Sequence, residues 1–509
     1  MDTKALRQKI LDLAIRGKLV PQDPNDEPAE VLLERIREQK QQMLKEGKLK
    51  KKDLKNDTII FKGEDNLHYE KFQDGTIKCI EDEIPFEVPE GWAWARLRDI
   101  CMMSAGKSKS TDQIKSEPFE ESYPCFGGNG VRGYVDEYNQ DGIFSIVGRQ
   151  GALCGNINIA IGKFYATEHA VVTTLFDGID FKWSNYILEA LRLNNYATGA
   201  AQPGLSVANI LNVFVPVPPT QEQDRIGNNV YESLKIVEAL EQEKIDLQKI
   251  IITAKTKILD LAIRGKLVPQ DPNDEPASVL LERIRTEKEE LIKQGKIKRD
   301  KKESVIFKGD DNSYYEKLPD EKINCIDKQL PFELPDGWKW CNLSMIGTTN
   351  IGLTYRPADI DTQGIIVLRS CNIVNDRINR TDLVRVKTSI RENQFVQKDD
   401  ILICARNGSR SLVGKCALIP ELAEKVSFGA FMAVYRTPYF SYIVHFLRSN
   451  FFRSVFDDSN STAINQLTQD MLKRAVVPLP PLAEQLRIVD KITELFERLN
   501  CIEEAVKKE

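Results

Sequence analysis

Histidine is nearly missing from this chain: His68, His169 and His445 are the only three in 509 residues. Imidazole is the usual general base and zinc ligand near neutral pH, so a histidine-based triad or a zinc site has little to be built from. The ten cysteines (79, 101, 125, 154, 325, 341, 371, 404, 416 and 501) stand singly, with no Cys-x-x-Cys pair and no histidine at ligand spacing. They read as buried free thiols of a reducing compartment, with no metal. No apolar run approaches the roughly 18 to 20 residues that span a bilayer. The start, MDTKALRQKI, has no apolar stretch of a secretory signal. The expectation is a soluble, cytoplasmic protein with no membrane partner. An excess of basic residues is absent too, since 71 Lys and Arg face 76 Asp and Glu, a net charge of −5. That balance speaks against a freestanding basic nucleic-acid binder. The charge is uneven, however: Trp338 to Val477 holds 18 basic and 12 acidic residues, Trp92 to Val215 holds 10 and 12.

Catalytic signatures are scarce as well. AGKS at Ala105–Ser108 resembles the end of a phosphate-binding loop, but Cys101 stands where its first glycine belongs. YPCFGGNG places Cys125 after a proline, as in the nucleophile of cytosine methyltransferases, without other residues that would hold S-adenosylmethionine. The Asp/Asn-Pro-Pro-aromatic tetrad of adenine methyltransferases is missing, and no nuclease-like carboxylate cluster stands out. The chain reads as noncatalytic.

What the sequence does have is a repeat. The 21 residues KILDLAIRGKLVPQDPNDEPA run from Lys9 to Ala29 and recur unchanged from Lys257 to Ala277. VLLERIR follows at Val31 and at Val279; IPFEVPEGWAW ends at Trp94 and LPFELPDGWKW at Trp340; VPVPPTQEQDRI ends at Ile226 and VPLPPLAEQLRI at Ile488. A repeated frame thus encloses two unlike segments. The C-terminal piece begins what the N-terminal piece completes, which predicts a circularly arranged pair with pseudo-two-fold symmetry.

Spacing shows what the frame is made of. Ile226, Val230, Ser233, Val237, Leu240, Lys244, Leu247, Ile251, Ala254, Ile258 and Leu261 step by four and three, a heptad seam. It opens after Pro218–Pro219 and ends at Gly265, predicting a helix of about 44 residues and about 65 Å. Ile488, Ile492, Leu495, Leu499, Ile502 and Val506 keep the same rhythm, with Leu6, Ile10 and Leu13 as the matching N-terminal piece. A single apolar stripe needs a partner, so the long helices are expected to pair, antiparallel under the two-fold.

The enclosed segments change to short β-rich runs broken by Gly and Asn, each followed by a helical stretch. The fold class is α+β, two globular domains separated by a pair of long antiparallel coiled-coil helices. The divisions are 1–85 and 220–331 for frame with arm, 86–219 and 332–481 for the domains, and 482–509 for the C-terminal helix. Gly148–Gly151 and Arg406–Ser409 are aligned as equivalent loops. Arg, Asn and Gln match the paired donors and acceptors of guanine and adenine edges. Glycine-bounded loops of the first domain carry Lys107, Lys109, Asn129, Arg132, Arg149, Gln150 and Lys163, with Tyr165 and His169 close behind. The second offers Tyr355, Arg356, Arg369, Asn372, Arg406, Asn407, Ser409, Arg410 and Lys415. The Lys-rich stretches 48–52 and 296–302 are further candidates for phosphate contacts, or plain exposed linkers. A coiled-coil scaffold with two protein-binding domains remains the alternative.

LAIRGKLVPQ written twice, YPCFGGNGVRGY and ATEHAVV in the first domain, and the two Pro-x-Gly-Trp-x-Trp entries resemble the DNA-specificity (S) subunits of type I restriction-modification systems, over essentially the whole chain. The resemblance implies two target recognition domains, each reading half of a bipartite, asymmetric double-stranded DNA site, and helices that set the unread spacer. It implies two methyltransferase (M) subunits on the repeated frame, and restriction (R) subunits completing the complex. S-adenosylmethionine would then be bound by the M subunit, ATP and magnesium by the R subunit, and no cofactor by this chain.

Overall fold

The computed structural model describes all residues except Met1, Ala152, 199–203, Lys296, Lys298, 300–302, Pro319, 458–465 and Glu509. The chain divides into two compact units, Met1–Ile245 and Asp246–Lys508. The cut falls inside one helix, Thr220–Ile263, which has the 44 residues expected from its heptads. Each unit holds one copy of the frame and one enclosed domain, and the frame contacts of one are repeated in the other.

A buried carboxylate ties each frame together. Glu222 is 1% exposed in the first turn of the long helix. It accepts hydrogen bonds from Trp92 Nε1 at 2.9 Å and from Gln22 Nε2 at 3.2 Å. Gln22 also donates to the carbonyl of Gly17 at 2.7 Å, while Arg225 pairs with Asp26. In the second unit Glu484 accepts from Trp338 Nε1 at 2.9 Å and Gln270 Nε2 at 3.1 Å, Gln270 donates to Gly265 O at 2.6 Å, and Arg487 pairs with Asp274. The identity of the duplicated stretch follows in part from this geometry. Gly17 and Gly265 end their helices at φ of +62° and +64°, and a Cβ there would lie 2.4 Å from Pro89 Cγ or 2.5 Å from Pro335 Cγ. Only glycine combines that backbone with that approach.

An arm follows in each unit: a 17-residue helix (Ala29–Lys45; Ala277–Lys293), then a three-stranded antiparallel sheet. Lys40 anchors the first arm, donating to Asp57 at 2.9 Å and to the carbonyl of Arg98 at 2.8 Å. Lys288 does the same with Glu303 and Ser344 O, at 2.9 and 2.7 Å.

Helix packing agrees with the heptad pattern in part. In the first unit Leu11, Ala14 and Ile15 of the N-terminal helix (Thr3–Ile15) share a core with Ile226, Val230 and Leu234. In the second, Leu259, Ala262 and Ile263 share one with Ile488 and Ile492 of the C-terminal helix (Leu482–Lys508). Of the expected seam, Val230, Val237, Ile251 and Ile492 are buried; Leu240, Leu247, Ile258, Leu261, Leu495 and Leu499 are half-buried. Ile502 is a correction, being 46% exposed. Leu234, Leu259 and Ala262 are buried one position beyond the expected Ser233, Ile258 and Leu261. A straight helix of 3.6 residues per turn drifts from a 3.5-residue repeat. The helix ends, moreover, pack on globular neighbours, as the ion pair of Arg7 with Glu189 at 3.0 Å on the helix Phe181–Ala190 shows.

The enclosed domains share one topology. In the first, Cys101–Ala105, Ala170–Leu175, Gln140–Gly148 and Ile157–Ala166 form an antiparallel run, joined in parallel by Tyr123–Gly127, which pairs with Gly130–Val135. In the second, Thr348–Ile351, Met432–Arg436, Ile401–Cys404 and Cys416–Leu418 repeat the run, while Val426–Phe428 joins Ile360–Leu368 in parallel, next to Val384–Val386. One ten-residue strand of the first domain thus corresponds to two strands of the second. Residues 419–425 interrupt the latter pair, and Pro420 within them lacks the N–H a ladder needs.

Burial pushes the carboxyls of Glu222 and Glu484 above the ordinary range. Between the ordinary and the raised value the folded state holds more protons than the unfolded, so this contribution to stability falls as pH rises. Glu222→Ala or Glu484→Ala leaves a buried indole N–H without its acceptor, a loss on the order of 2 kcal/mol. Both variants of the full chain should show a lower urea midpoint and a shallower decline as pH rises from the ordinary glutamate range through the raised one; unchanged midpoints would remove the carboxylate from its structural role.

Candidate nucleic-acid interface

In the first domain four loops converge at the ends of strands. The backbone N–H of Arg149 donates to His169 O at 3.1 Å, that of Lys107 to Ala166 O at 3.0 Å, and that of Thr167 to Phe126 O at 3.0 Å. A Cβ on Gly148 would lie 1.9 Å from the carbonyl of Gly128, so this backbone crossing excludes any side chain there. Around it stand Lys107, Asn129, Arg132 and Gln150, all exposed, with Arg149 and His169 half-exposed. Asn129 Oδ1 accepts from Asn156 at 3.2 Å and Arg132 donates to Thr111 Oγ1 at 3.1 Å, contacts that aim both at the loop surface. A leucine closes the set, with Leu205 N–H donating to Arg149 O at 2.8 Å.

Three members of the expected set are spent elsewhere. Tyr165 is a correction: it is 5% exposed, packed with Cys125 and Val135, and its hydroxyl is 3.4 Å from Ser108 O. Lys109 lies over the Tyr165 ring and is held by Glu137 at 2.6 Å and Asp136 at 3.7 Å; the bond to Glu137 raises its pKa. Lys163 sits opposite Asp141 in the ladder, with its ammonium 4.6 Å from the Tyr138 ring centre.

The second domain assembles equivalent loops. Arg406 N–H donates to Phe431 O at 3.0 Å, Gly429 N–H to Leu368 O at 2.9 Å, Leu353 N–H to Phe428 O at 2.7 Å and Leu467 N–H to Ala405 O at 2.7 Å. Strand register therefore makes Gln150 the counterpart of Arg406, through the bridges Gln150↔Gly204 and Arg406↔Gln466. The expected alignment of Gly148 with Arg406 is off by two residues, because strand pairing and not loop composition sets the correspondence. Arg406 is exposed, its guanidinium 5.4 Å from the centre of the Phe431 ring. Asn407 donates to Ser370 Oγ at 3.2 Å and accepts from Ser409 N–H at 3.0 Å, which orders the loop that also carries exposed Ser409 and Arg410. Arg356 is exposed, Lys415 half-exposed, and Tyr355 packs beside Leu353, Val367 and Val386.

Asn372 is the second correction. It is 1% exposed and donates to the carbonyls of Asn379 and Asp382 at 3.1 and 2.8 Å, while its Oδ1 accepts from Arg369 N–H at 2.8 Å. It shapes a turn and presents nothing outward. Arg369 itself is paired with Asp382 at 2.9 Å.

Of the lysine stretch 296–302, only Ile297 and Arg299 are described, and Arg299 pairs with Glu289. Lys48 pairs with Glu46 at 2.8 Å; Lys50, Lys51 and Lys52 are exposed. Two histidines belong to the framework: His68 is buried against Glu81 at 2.7 Å, and burial pushes His445 down to about 3, which keeps it neutral. Six cysteines are buried, but Cys79, Cys325, Cys371 and Cys501 are exposed, contrary to expectation. Among the described residues, no helix is long and apolar enough to cross a membrane. Sequence reasoning missed Glu168 and Phe431, which stand at adjacent positions of equivalent turns in the two domains, Glu168 opposite Ala430 and Phe431 opposite His169; the signal was present as ATEHA and FGAFM, an unusual side chain inside a turn before a strand.

Comparison with known proteins extends this picture. The chain is similar to the specificity subunit of type I restriction enzyme EcoAI of Escherichia coli, 28% identical over 99% of this chain and 90% of that one. It is similar to the EcoEI specificity subunit of the same organism, 27% identical over 97% and 89%. Among solved structures, a chain from a study of complex assembly and conformational transition of the type I R-M system shares the fold, with a TM-score of 0.52 at 15% identity over 83% of this chain and 95% of that one. The family model described as type I restriction modification DNA specificity domain matches residues 89–254 and 335–509, one span for each enclosed domain with its following helix, and on that match the chain belongs to this family of DNA-specificity subunits.

Proposed function

We propose that this chain reads a bipartite, asymmetric DNA site for a type I restriction-modification complex, one half-site per domain, and is itself noncatalytic. The observation that carries this reading is one topology used twice with different side chains at equivalent loop positions: Arg149 and Gln150 against Ala405 and Arg406, Glu168 and His169 against Ala430 and Phe431. Arginine offers bidentate donors to guanine, and glutamine and asparagine match adenine. Two different half-sites require two different readers.

The long helix and its terminal neighbours are proposed as an antiparallel coiled-coil ruler for the spacer, within a circular, pseudo-two-fold arrangement. Contacts in each unit support the direction. Arg7 reaches Glu238 at 3.9 Å while Ile15, further along, shares a core with Ile226; Lys255 reaches Glu503 at 2.9 Å while Ile263 shares one with Ile488. The repeated frame is proposed to dock two M subunits, identical partners requiring equivalent surfaces, with R subunits completing the assembly in the cytoplasm. In this division S-adenosylmethionine is bound by M, which methylates a flipped adenine, and ATP and magnesium by R. Partner subunits also supply phosphate contacts that a chain of net charge −5 lacks.

Mapping methylated adenines in cells with and without the gene tests the reading: a two-part motif should vanish with the gene. Arg149→Ala and Arg406→Ala should each relax the motif at one definable base pair, worth about 1 to 3 kcal/mol of discrimination; an equal loss on all sequences would reassign that arginine to the phosphate backbone. Inserting one heptad between Val237 and Ile251 should change the accepted spacer, and an unaltered motif would refute the ruler. A gel-shift salt series with the M subunit present decides against the protein-binding scaffold if affinity falls steeply with salt.

A further inference from the structure

An apolar patch lies beside Arg406. Phe431 is 60% exposed and Ile351 47%. Both line a cavity of about 250 Å³ together with Ala405, Arg406, Ala430 and Gln466. The ring is placed by backbone bonds: the carbonyl of Phe431 accepts from Ala405 N–H at 2.9 Å and Arg406 N–H at 3.0 Å, and Met432 N–H closes the turn on Gly429 O at 2.8 Å. A large ring held open to water on a fixed turn, next to a guanidinium, is suited to meeting a surface that is both anionic and locally apolar.

The first domain carries the same turn with different side chains. Its turn Thr167–Ala170 is bonded in the same way, Ala170 N–H to Thr167 O at 3.0 Å and Arg149 N–H to His169 O at 3.1 Å. Where the second domain has Ala430 and Phe431, the first has Glu168 and His169. Glu168 Oε2 is buried without a donor among the described residues, and its other carboxylate oxygen is 3.4 Å from His169 Nε2. Equivalent turns therefore carry different chemistry at two consecutive positions: the first domain has a carboxylate at Glu168 where the second has Ala430, and the second has an exposed apolar ring at Phe431 where the first has His169. The major groove presents the matching alternatives: amino donors on cytosine and adenine, a methyl group on thymine.

We propose that the turn Gly429–Met432 is a base-reading element in which Phe431 packs on the C5-methyl of a thymine, one base step from the pair met by Arg406. The inference rests on the DNA-reading role proposed above. The 5.4 Å between guanidinium and ring centre suits side chains that address neighbouring base pairs, which are about 3.4 Å apart along the helix. The methyl is the only apolar group on a major-groove base edge, so the contact would select thymine over cytosine without a hydrogen bond.

The test uses the full chain with its M subunit and duplexes of the mapped site, in which each thymine of one half-site is replaced in turn by deoxyuridine, which lacks only that methyl. For the wild-type complex one replacement should weaken binding about fourfold, the worth of one buried methyl. Phe431→Ala should bind the thymine and uracil duplexes alike, near the wild-type affinity for uracil, and Phe431→Leu should recover part of the difference. Because Phe431 lies outside the cores, both variants should melt as the wild type does. The proposal is overturned if no thymine is sensitive in the wild type, or if the sensitive one remains so in Phe431→Ala. It is also overturned if the variant weakens every duplex equally, the mark of an inserted wedge. Wild-type complex that fails to prefer the mapped site over scrambled DNA overturns the DNA-reading role itself, a separate result from insensitivity to uracil on a site that is bound specifically.

Discussion

One buried carboxylate per unit holds three distant stretches of chain in register. Glu222 and Glu484 each join the start of a long helix to the indole of the Pro-x-Gly-Trp entry and to the glutamine of the duplicated stretch. A carboxylate can be taken out of water only where donors replace the lost hydration, and here an indole and an amide do so in each copy. The entry and exit of each recognition domain are consequently pinned side by side, with Ala93–Arg96 pairing with Phe214–Val217 and Lys339–Asn342 with Val476–Leu479. The domain between those strands is free to differ as long as its ends return to the same place.

Such pinning explains how one chain contains two domains of shared topology and unlike surface. The strands and their register are common, down to the leucine N–H that closes the loop onto Arg149 or Ala405. The second domain interrupts the corresponding strand at residues 419–425, which include Pro420, and the first keeps it whole. Differences gather at the strand ends, where side chains leave the sheet without disturbing its core.

Charge is arranged with similar economy. Many cations of the two domains are held by carboxylates: Lys109 by Glu137 and Asp136, Arg369 by Asp382, Arg385 by Glu424 and Arg436 by Asp400. Lys107, Arg132, Arg356 and Arg406 are exposed in the loops, and Arg149 is half-exposed. A chain of net negative charge can in this way still present a basic fringe at the positions where its loops converge.

Periodicity and repetition made much of the architecture legible in the sequence. A heptad stripe names a helix because 3.5 lies close to 3.6 residues per turn, and an unchanged stretch of 21 residues names a unit built twice. The burial of Leu234 and Leu259 in place of Ser233 and Ile258, and the exposure of Ile502, were decided by what each helix end packs against, which the helix's own spacing does not contain. In the candidate interface, residue type anticipated that Gln150 and Arg406 are exposed and Arg149 half-exposed, since Arg and Gln in glycine-bounded loops have few uses in a core. Type could not separate Asn372, which shapes a turn, from Asn129, which is exposed, nor pair Gln150 with Arg406 or Glu168 with Ala430. Those assignments come from hydrogen-bond register between strands far apart in the chain, and only the folded sheet brings them together.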